Sequence, residues 1–422
     1  MKKRISLAIF TVLSATALFG CSNSESTGGD SGDKIKISYY SSTSDQEAKD
    51  AITKITENFE KDNPDIDVEV TFGGQGYENN MKVKMAANDL PDAFDTHGWA
   101  QNRYGKYLAD LKDEEWASKL TDTMKPVLTD DNGKVYALPL NEAKDGITYN
   151  ADILEKYGIE APKTFDELMA AAAKIKKESK GEVLPFYFSG IDSSSIGQFF
   201  DYFATPLLVS ADKNYAEDLL NDKFDWNNWT YLPEKFKEMF DKGYMNEDVL
   251  TAKYSDMPKL FAEGKIAFIM NGPQSVLQSK EMNPDINIGY MPVPSIVEGD
   301  EPAFSGGERF TMGVWKDSKH LEETKEYVAY FAKPENLKLM AEASGLPAGI
   351  KDIDADLGEL TKYYEQYENN RVFPYFDRVY IPNGMWDVLC TQGQELLAGS
   401  VTPKQFSKNM EKEVERLKSQ QK

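Results

Sequence analysis

The hydrophobic period changes repeatedly along the chain, and each change marks an element. Lys34-Ile-Lys-Ile-Ser-Tyr-Tyr40 alternates polar and apolar positions, the two-residue period of a strand. Ala48, Ala51, Ile52, Ile55 and Phe59 then fall on one face of a helix over 45–61, with Ser44 or Asp45 as its N-cap. Asn63-Pro64-Asp65 turns the chain into a second alternating run, Ile66–Phe72. Residues 77–88 carry a helical pattern that stops at Leu90-Pro91, and 92–96 is a third short strand. Strand, helix, strand, helix, strand is the order of a parallel sheet covered by helices, so an α/β fold is expected.

Asp131-Asn132-Gly133-Lys134 is a strong turn signal before an apolar run over 135–140. Thr148-Tyr149-Asn150 leads into a helix over 151–157, and Thr164-Phe165-Asp166-Glu167 has the form of a capping box that starts a helix through Lys177. Residues 184–188, 265–270 and 286–294 have the pattern of further strands, and helical segments rich in Leu, Phe and Tyr fill 198–262. Helices are expected over most of 320–343 and 355–370, and an amphipathic helix over 403–418 closes the chain. No internal repeat is evident.

The first residues bear on the compartment. Lys2, Lys3 and Arg4 precede an apolar stretch from Ile5 to Leu18, and Leu18-Phe19-Gly20-Cys21 follows. The stretch is shorter than the roughly 20 residues that span a bilayer, so residues 1–20 are expected to be a cleaved signal peptide. Leu-x-Gly-Cys resembles a bacterial lipobox, which implies a diacylglyceryl (palmitate-type) anchor on the Cys21 thiol. The other interpretation is an ordinary secretory signal with a chance cysteine. Residues 21–33 contain only polar and small residues after Cys21, and as a flexible tether they would span on the order of 20 Å. The body has no second long apolar run, so the expected attachment to a membrane is through the lipid alone, outside the cytoplasm. Cys390 is left without a partner and is expected to be a small buried residue.

Composition narrows the function. The 422 residues carry 48 Lys+Arg against 70 Asp+Glu, a formal charge of −22, and loss of Lys2, Lys3 and Arg4 takes it to −25. Such a surface argues against nucleic acid, whose binding requires a basic face. Two cysteines and two histidines leave no thiolate or His-rich metal site, and no cofactor or metal is expected. The acidic surface weighs against an anionic ligand and in favour of a neutral one.

The order of segments resembles the family 1 extracellular solute-binding proteins, the lipid-anchored sugar receptors of bacterial ABC importers. The matching pieces are 48–70 (AKDAITKITENFEKDNPDIDVEV), Leu90-Pro-Asp-Ala-Phe-Asp-Thr96, Lys134-Val-Tyr-Ala-Leu-Pro-Leu140 with Ile147-Thr-Tyr-Asn150, Tyr157-Gly-Ile-Glu-Ala-Pro-Lys-Thr-Phe-Asp-Glu-Leu168, and Phe261-Ala-Glu-Gly-Lys-Ile-Ala-Phe-Ile-Met-Asn-Gly-Pro273. The resemblance covers essentially the whole mature chain. Gln274 stands where the family often has Trp, and Phe165 where it often has Trp after Thr. The resemblance implies a two-lobe fold of the periplasmic-binding-protein kind, type II-like, with the ligand between the lobes. The expected division is 34–145 with a return segment near 271–318 for lobe 1, and 146–270 with 319–422 for lobe 2. It also implies a non-catalytic monomer that closes on a neutral oligosaccharide, a gluco-oligosaccharide among the options, and delivers it to ABC permease subunits.

A sugar offers ring faces that pack on aromatic rings and hydroxyls that both donate and accept. In open α/β sheets the ligand lies beyond the strand ends, which selects the candidates. After the first strand these are Tyr40, Ser42, Asp45 and Gln46, with capping the competing role for Asp45. After the third are His97 and Trp99. At the crossover are Glu142 and Asp145, which a solvated loop would also explain. In the second lobe Asp192, Trp229, Asn271 and Gln274 are candidates, although tryptophans are usually core. Gly307, Glu308 and Arg309 lie where the family has a Gly-Gly segment at the sugar, with a structural Glu308–Arg309 pair as the alternative. Tyr375 and Trp386 stand in a loop bounded by Pro, Asn and Gly, and burial in a helix would equally account for Trp386. The competing classes are a secreted glycoside hydrolase using paired carboxylates and a surface lipoprotein binding another solute or none. No nucleophile elbow, phosphate loop or His-Glu-x-x-His motif is present.

Overall fold

The computed structural model describes residues 34–210, 213–270 and 272–421. The leader, Cys21, the tether and Asn271 lie outside the described residues, as does the side chain of Gln274. In chain order the strands are β1 (Ile35–Ser41), β2 (Ile66–Phe72), β3 (Ala93–Phe94), β4 (Leu138–Pro139), β5 (Glu142–Asp145) and β6 (Ile147–Asn150). They continue with β7 (Leu184–Phe186), β8 (Ile266–Ile269), β9 (Ile288–Met291), β10 (Phe304–Glu308), β11 (Thr311–Val314) and β12 (Val372–Pro374).

Lobe 1 is built on a sheet of order β2-β1-β3-β11-β4. β1 runs parallel to β2, with Ile35 opposite Ile66, and parallel to β3, while β11 enters antiparallel to β3 and β4. The sheet is therefore mixed, because its last central strand returns from much later in the chain. Helix Gln46–Asp62 covers it with the stripe foreseen, Ala48, Ala51, Ile52, Ile55 and Phe59 all buried. Asp45 caps that helix, its carboxylate accepting the Ala48 N–H at 3.0 Å, a contact of about 1 kcal/mol. Lobe 2 has the sheet β7-β8-β6-β9. Its helix Phe165–Glu178 opens with the expected reciprocal capping box of Thr164 and Glu167.

Between the lobes lies a small sheet of order β12-β10-β5. β5 and β10 are antiparallel, with Asp145 opposite Ser305 and Glu142 opposite Glu308. These strands carry the chain from one core to the other, so their side chains stand at the hinge.

The expected lobe boundaries shift. β9 lies in the segment assigned to lobe 1, but it pairs with β6 along Ile147–Asn150 in the second sheet. Helices Leu321–Phe331 and Pro334–Ser344 were assigned to lobe 2, but Tyr327, Phe331, Leu337 and Met340 belong to the first core. Tyr327 packs edge-on at 5.1 Å against Phe59 and 6.0 Å against Tyr39. Helix Gln46–Asp62 needs a cover for its outer flank, and these two helices supply it. The chain then crosses again near β12, and Phe376, Leu389, Phe406 and Met410 close the second core.

Candidate functional site

Four chain segments converge between the lobes: the loop after β3, the ends of β5 and β10, and the stretch that follows β12. Asp95 organises the first. Its carboxylate accepts the His97 N–H at 2.9 Å, the Thr311 N–H at 3.2 Å and hydroxyl at 3.0 Å, and the Ser42 hydroxyl. The tight turn this imposes puts His97 at φ 45° and Gly98 at φ 87°. A non-glycine residue in that region costs about 1–2 kcal/mol, so the Asp95 bonds overrule a local preference to aim Trp99 at the cleft.

Trp99 is 9% exposed, and charged groups account for the cover. The Arg103 guanidinium lies 3.8 Å from the ring centre, and Arg378 reaches over from lobe 2 to 4.8 Å. Glu78 braces the far side, accepting from Arg103 and lying 2.9 Å from His97 Nδ1. Burial opposes the Glu78 charge, but the His97 hydrogen bond and the Arg103 charge outweigh it and its pKa is lowered. Two further contacts join the lobes. Arg103 donates to Asn383 Oδ1 at 2.6 and 3.1 Å, and Asn102 donates to the Arg378 carbonyl oxygen.

Glu308 ends β10 with its carboxyl turned into lobe 1. It accepts the Ala100 N–H at 2.9 Å and the Thr96 hydroxyl at 2.7 Å. Burial pushes this carboxyl up to about 7, against the pull of those two donors. At the other hinge strand Tyr375 donates its phenol to Asp145 Oδ2 at 2.6 Å. Burial and the Asp145 charge raise the Tyr375 pKa far above the ordinary phenol value. Burial works against the Arg309 charge, but Tyr375 and Asp145 beside it raise its pKa. A Cβ on Gly272 would fall 2.7 Å from Asp145 Oδ1, so glycine is what lets that backbone approach the carboxylate. The hydroxyls of Tyr202 and Ser305 are buried close to Asp145 without a partner. A cleft cavity of about 210 Å³ adjoins these groups, walled by Gln101, Asn102, Gly307, Glu308, Tyr375 and Arg378. Aromatic rings from both lobes, carboxyls, a guanidinium and bare glycine backbone suit a ligand with apolar faces and hydroxyl edges.

The family profile described as bacterial extracellular solute-binding protein matches residues 42–338. The chain is 45% identical over 413 residues to the melibiose/raffinose/stachyose-binding protein MelE of Bacillus subtilis (strain 168), covering 98% of this chain and 96% of that one. The chain belongs to this solute-binding family. It is accordingly a binding receptor and not an enzyme. Its structure matches a Bacillus subtilis binding protein in an open conformation, with a TM-score of 0.86 and 45% identity over 92% of this chain and 99% of that one. It also matches a Bacillus licheniformis sugar transporter in complex with stachyose, with a TM-score of 0.83 and 48% identity over 91% and 100%. Among the described residues no helix of this solute-binding protein is long and apolar enough to cross a membrane.

Of the residues singled out from the receptor's sequence, His97, Trp99, Asp145, Gly307, Glu308, Arg309 and Tyr375 come together at the hinge and cleft, and Ser42 supports them through Asp95. Others do not. Tyr40 stacks on Tyr77 at 4.7 Å and accepts from Asn80 at 3.0 Å, which fixes helix Tyr77–Ala87 to the sheet. Asp45 caps its helix, and Gln46 donates to Asp50 at 2.7 Å on the exposed side. Glu142 is buried against the Thr121 hydroxyl at 2.7 Å. Asp192 is exposed and accepts the Tyr254 N–H at 3.3 Å, clasping two loops. Trp229 is 0% exposed, stacked at 5.4 Å on Phe376 in the second core, where an indole gains more from burial than a sugar could offer. Trp386 lies on helix Met385–Leu397 with its ring against Gly197. Cys390 beside it is buried as expected, and burial pushes its thiol up to about 12. Arg378, Arg103, Asn102 and Glu78 were not singled out. One signal points to the two arginines among them: the chain has only six arginines, and Arg103, Arg309 and Arg378 all stand at the hinge and cleft. An arginine preferred over lysine marks places where a planar fork or a stacked cation is needed.

Proposed function

We propose that this protein is the cell-surface receptor of an ABC importer for neutral oligosaccharides of the melibiose, raffinose and stachyose type, held at the membrane by a lipid on Cys21 and working as a monomer. The observation that carries the reading is that two aromatic rings, Trp99 of lobe 1 and Tyr375 of the stretch after β12, meet at Arg378 beside a cleft cavity. Ring faces of a sugar would meet the aromatics, and its hydroxyls would meet the polar groups that wall the cavity, Gln101, Asn102 and the Gly306–Gly307 backbone. The name of the 45% identical relative and the stachyose bound to the 48% identical one support galactose-containing oligosaccharides over the gluco-oligosaccharides that aromatic content alone allows. The lipobox pattern supports the anchor, and an ABC permease would receive the loaded, closed form.

The test is a thermal-shift panel on the mature protein with melibiose, raffinose, stachyose, maltotriose and cellotriose. A sugar at 100 times its Kd adds about 2.7 kcal/mol of stability. Raffinose and stachyose are expected to raise the melting temperature most, with no release of reducing ends. A shift with the glucans alone would replace the ligand assignment, and no shift with any of them would end the carbohydrate reading. Mass spectrometry of the membrane-extracted protein checks the anchor, which requires two acyl chains on Cys21.

A further inference from the structure

One side chain of the protein lies against both cleft rings. Arg378 projects from the short helix Phe376–Val379 of lobe 2 and places its guanidinium carbon 4.1 Å from the centre of the Tyr375 ring and 4.8 Å from that of Trp99. Atoms in van der Waals contact lie about 3.5–4 Å apart, so the guanidinium stands close to stacking contact with Tyr375 and further out over Trp99, whose ring is also met by Arg103 at 3.8 Å. Room has been made for it. A Cβ on Gly98 would fall 2.2 Å from Arg378 Nη1, and the glycine holds φ 87°, a conformation that side chains avoid. Nη1 donates to the Glu308 carbonyl oxygen at 3.2 Å. The seat is nevertheless incomplete. Arg378 Nε is buried without a hydrogen-bond partner, and the carboxylate oxygen of Asp377 stands 3.8 Å away from it.

Size points the same way. The cavity left beside Arg378 is about 210 Å³, below the roughly 300 Å³ at which pockets for small ligands begin. The guanidinium takes up part of the space that an oligosaccharide would need. A buried donor lacking an acceptor also makes the seated state easier to leave. We propose that Arg378 is a built-in competitor for the ligand: its guanidinium packs against Tyr375 and over Trp99 at the cleft, and sugar binds by displacing it. This rests on the carbohydrate reading above and adds to it a residue that sets affinity from within the site. Because the guanidinium also lies over Trp99 of lobe 1, its departure removes one contact between the lobes.

The test uses the whole mature protein as wild type, Arg378→Ala and Arg378→Gln, the second variant keeping a polar stem should the first fail to fold. Each is titrated calorimetrically with raffinose and stachyose. Acrylamide quenching of tryptophan fluorescence is measured without sugar, with Trp99→Phe in each background to isolate the Trp99 signal. Both Arg378 variants are expected to bind sugar tighter than wild type, by roughly 2- to 30-fold, the range spanned by cation–π contacts. Trp99 is expected to become more accessible to acrylamide. Weaker or unchanged sugar binding in folded variants would overturn the proposal and make Arg378 a ligand contact or a bystander. If wild type binds neither sugar, the carbohydrate reading fails and the competitor with it; unchanged access to Trp99 in the variants refutes the seated arginine whether or not sugar binds.

Discussion

The bond between Tyr375 and Asp145 gives the sharpest check on the hinge, because one oxygen atom can be removed without disturbing the ring. Tyr375→Phe deletes the donor that lies 2.6 Å from Asp145 Oδ2. A hydrogen bond to a charged group contributes about 1.5–3 kcal/mol, and both partners are buried, so solvent cannot replace it. About 2 kcal/mol is the expected loss. At roughly 2.1 cal/mol/K of unfolding entropy per residue, a chain of 422 residues shifts by about 1 °C per kcal/mol, so the melting temperature falls by about 2–3 °C. Asp145→Asn is more severe, since Arg309 loses the neighbouring charge that sustains it, and breaking a buried pair costs about 3–5 kcal/mol. The decisive quantity is the coupling between the two changes. Urea unfolding of wild type, both single variants and the double variant yields it. If the contact is as described, the double variant is more stable than the sum of the singles predicts by at least about 1 kcal/mol. Independent sites add to within about 0.3–0.5 kcal/mol, so additivity at that level would refute the geometry at the hinge.

Other expectations follow from the same structure. Glu308 has its pKa raised to about 7 by burial, so the folded state holds its proton more tightly than the unfolded chain and stability falls as pH rises from about 4.5 to 7. Glu308→Gln removes that dependence. Relative to wild type it gains with pH, by an amount on the order of 3 kcal/mol across the window; a pH-independent difference in melting temperature would contradict the burial argument. Trp229→Ala opens a cavity in the second core and is expected to cost about 3–5 kcal/mol, while sugar affinity measured well below its melting temperature stays at the wild-type value. Thr164→Ala removes one half of a capping box far from the cleft and should cost about 1 kcal/mol, visible in urea midpoints and absent from binding isotherms.

Much of the fold was legible because one-dimensional patterns report local geometry. The stripe of Ala48, Ile52, Ile55 and Phe59 is buried as spaced, and the Thr164 box closes as its residues require. The limit is partnership. The amphipathic pattern of 321–344 shows that a face is buried, but not that its cover is Phe59 in the first core and not the neighbouring second core. Trp229 misled for a related reason. It sits in the polar string Asp225-Trp-Asn-Asn-Trp-Thr230, and only the tight turn Trp226–Trp229 shows that both indoles face inward while Asn227 turns out. Strand ends pointed to His97, Trp99 and Asp145, and the Gly-Gly segment of the resemblance to Glu308; the fold brings these four to the hinge and cleft. Arg378 escaped because its value depends on the approach of residues 375–383 to the loop 97–103, a contact between segments far apart in sequence that no period encodes.

The central claim is that sugar is held between the lobes by Trp99 and Tyr375, and calorimetric titration of stachyose into wild type, Trp99→Ala and Tyr375→Ala tests it most directly. Buried aromatic anchors carry about 2–4 kcal/mol each, so wild type should bind one stachyose per chain and either substitution should weaken it by roughly 30-fold or more, with folding intact by circular dichroism. Stachyose binding of undiminished affinity in both folded variants would place the ligand elsewhere and contradict the account.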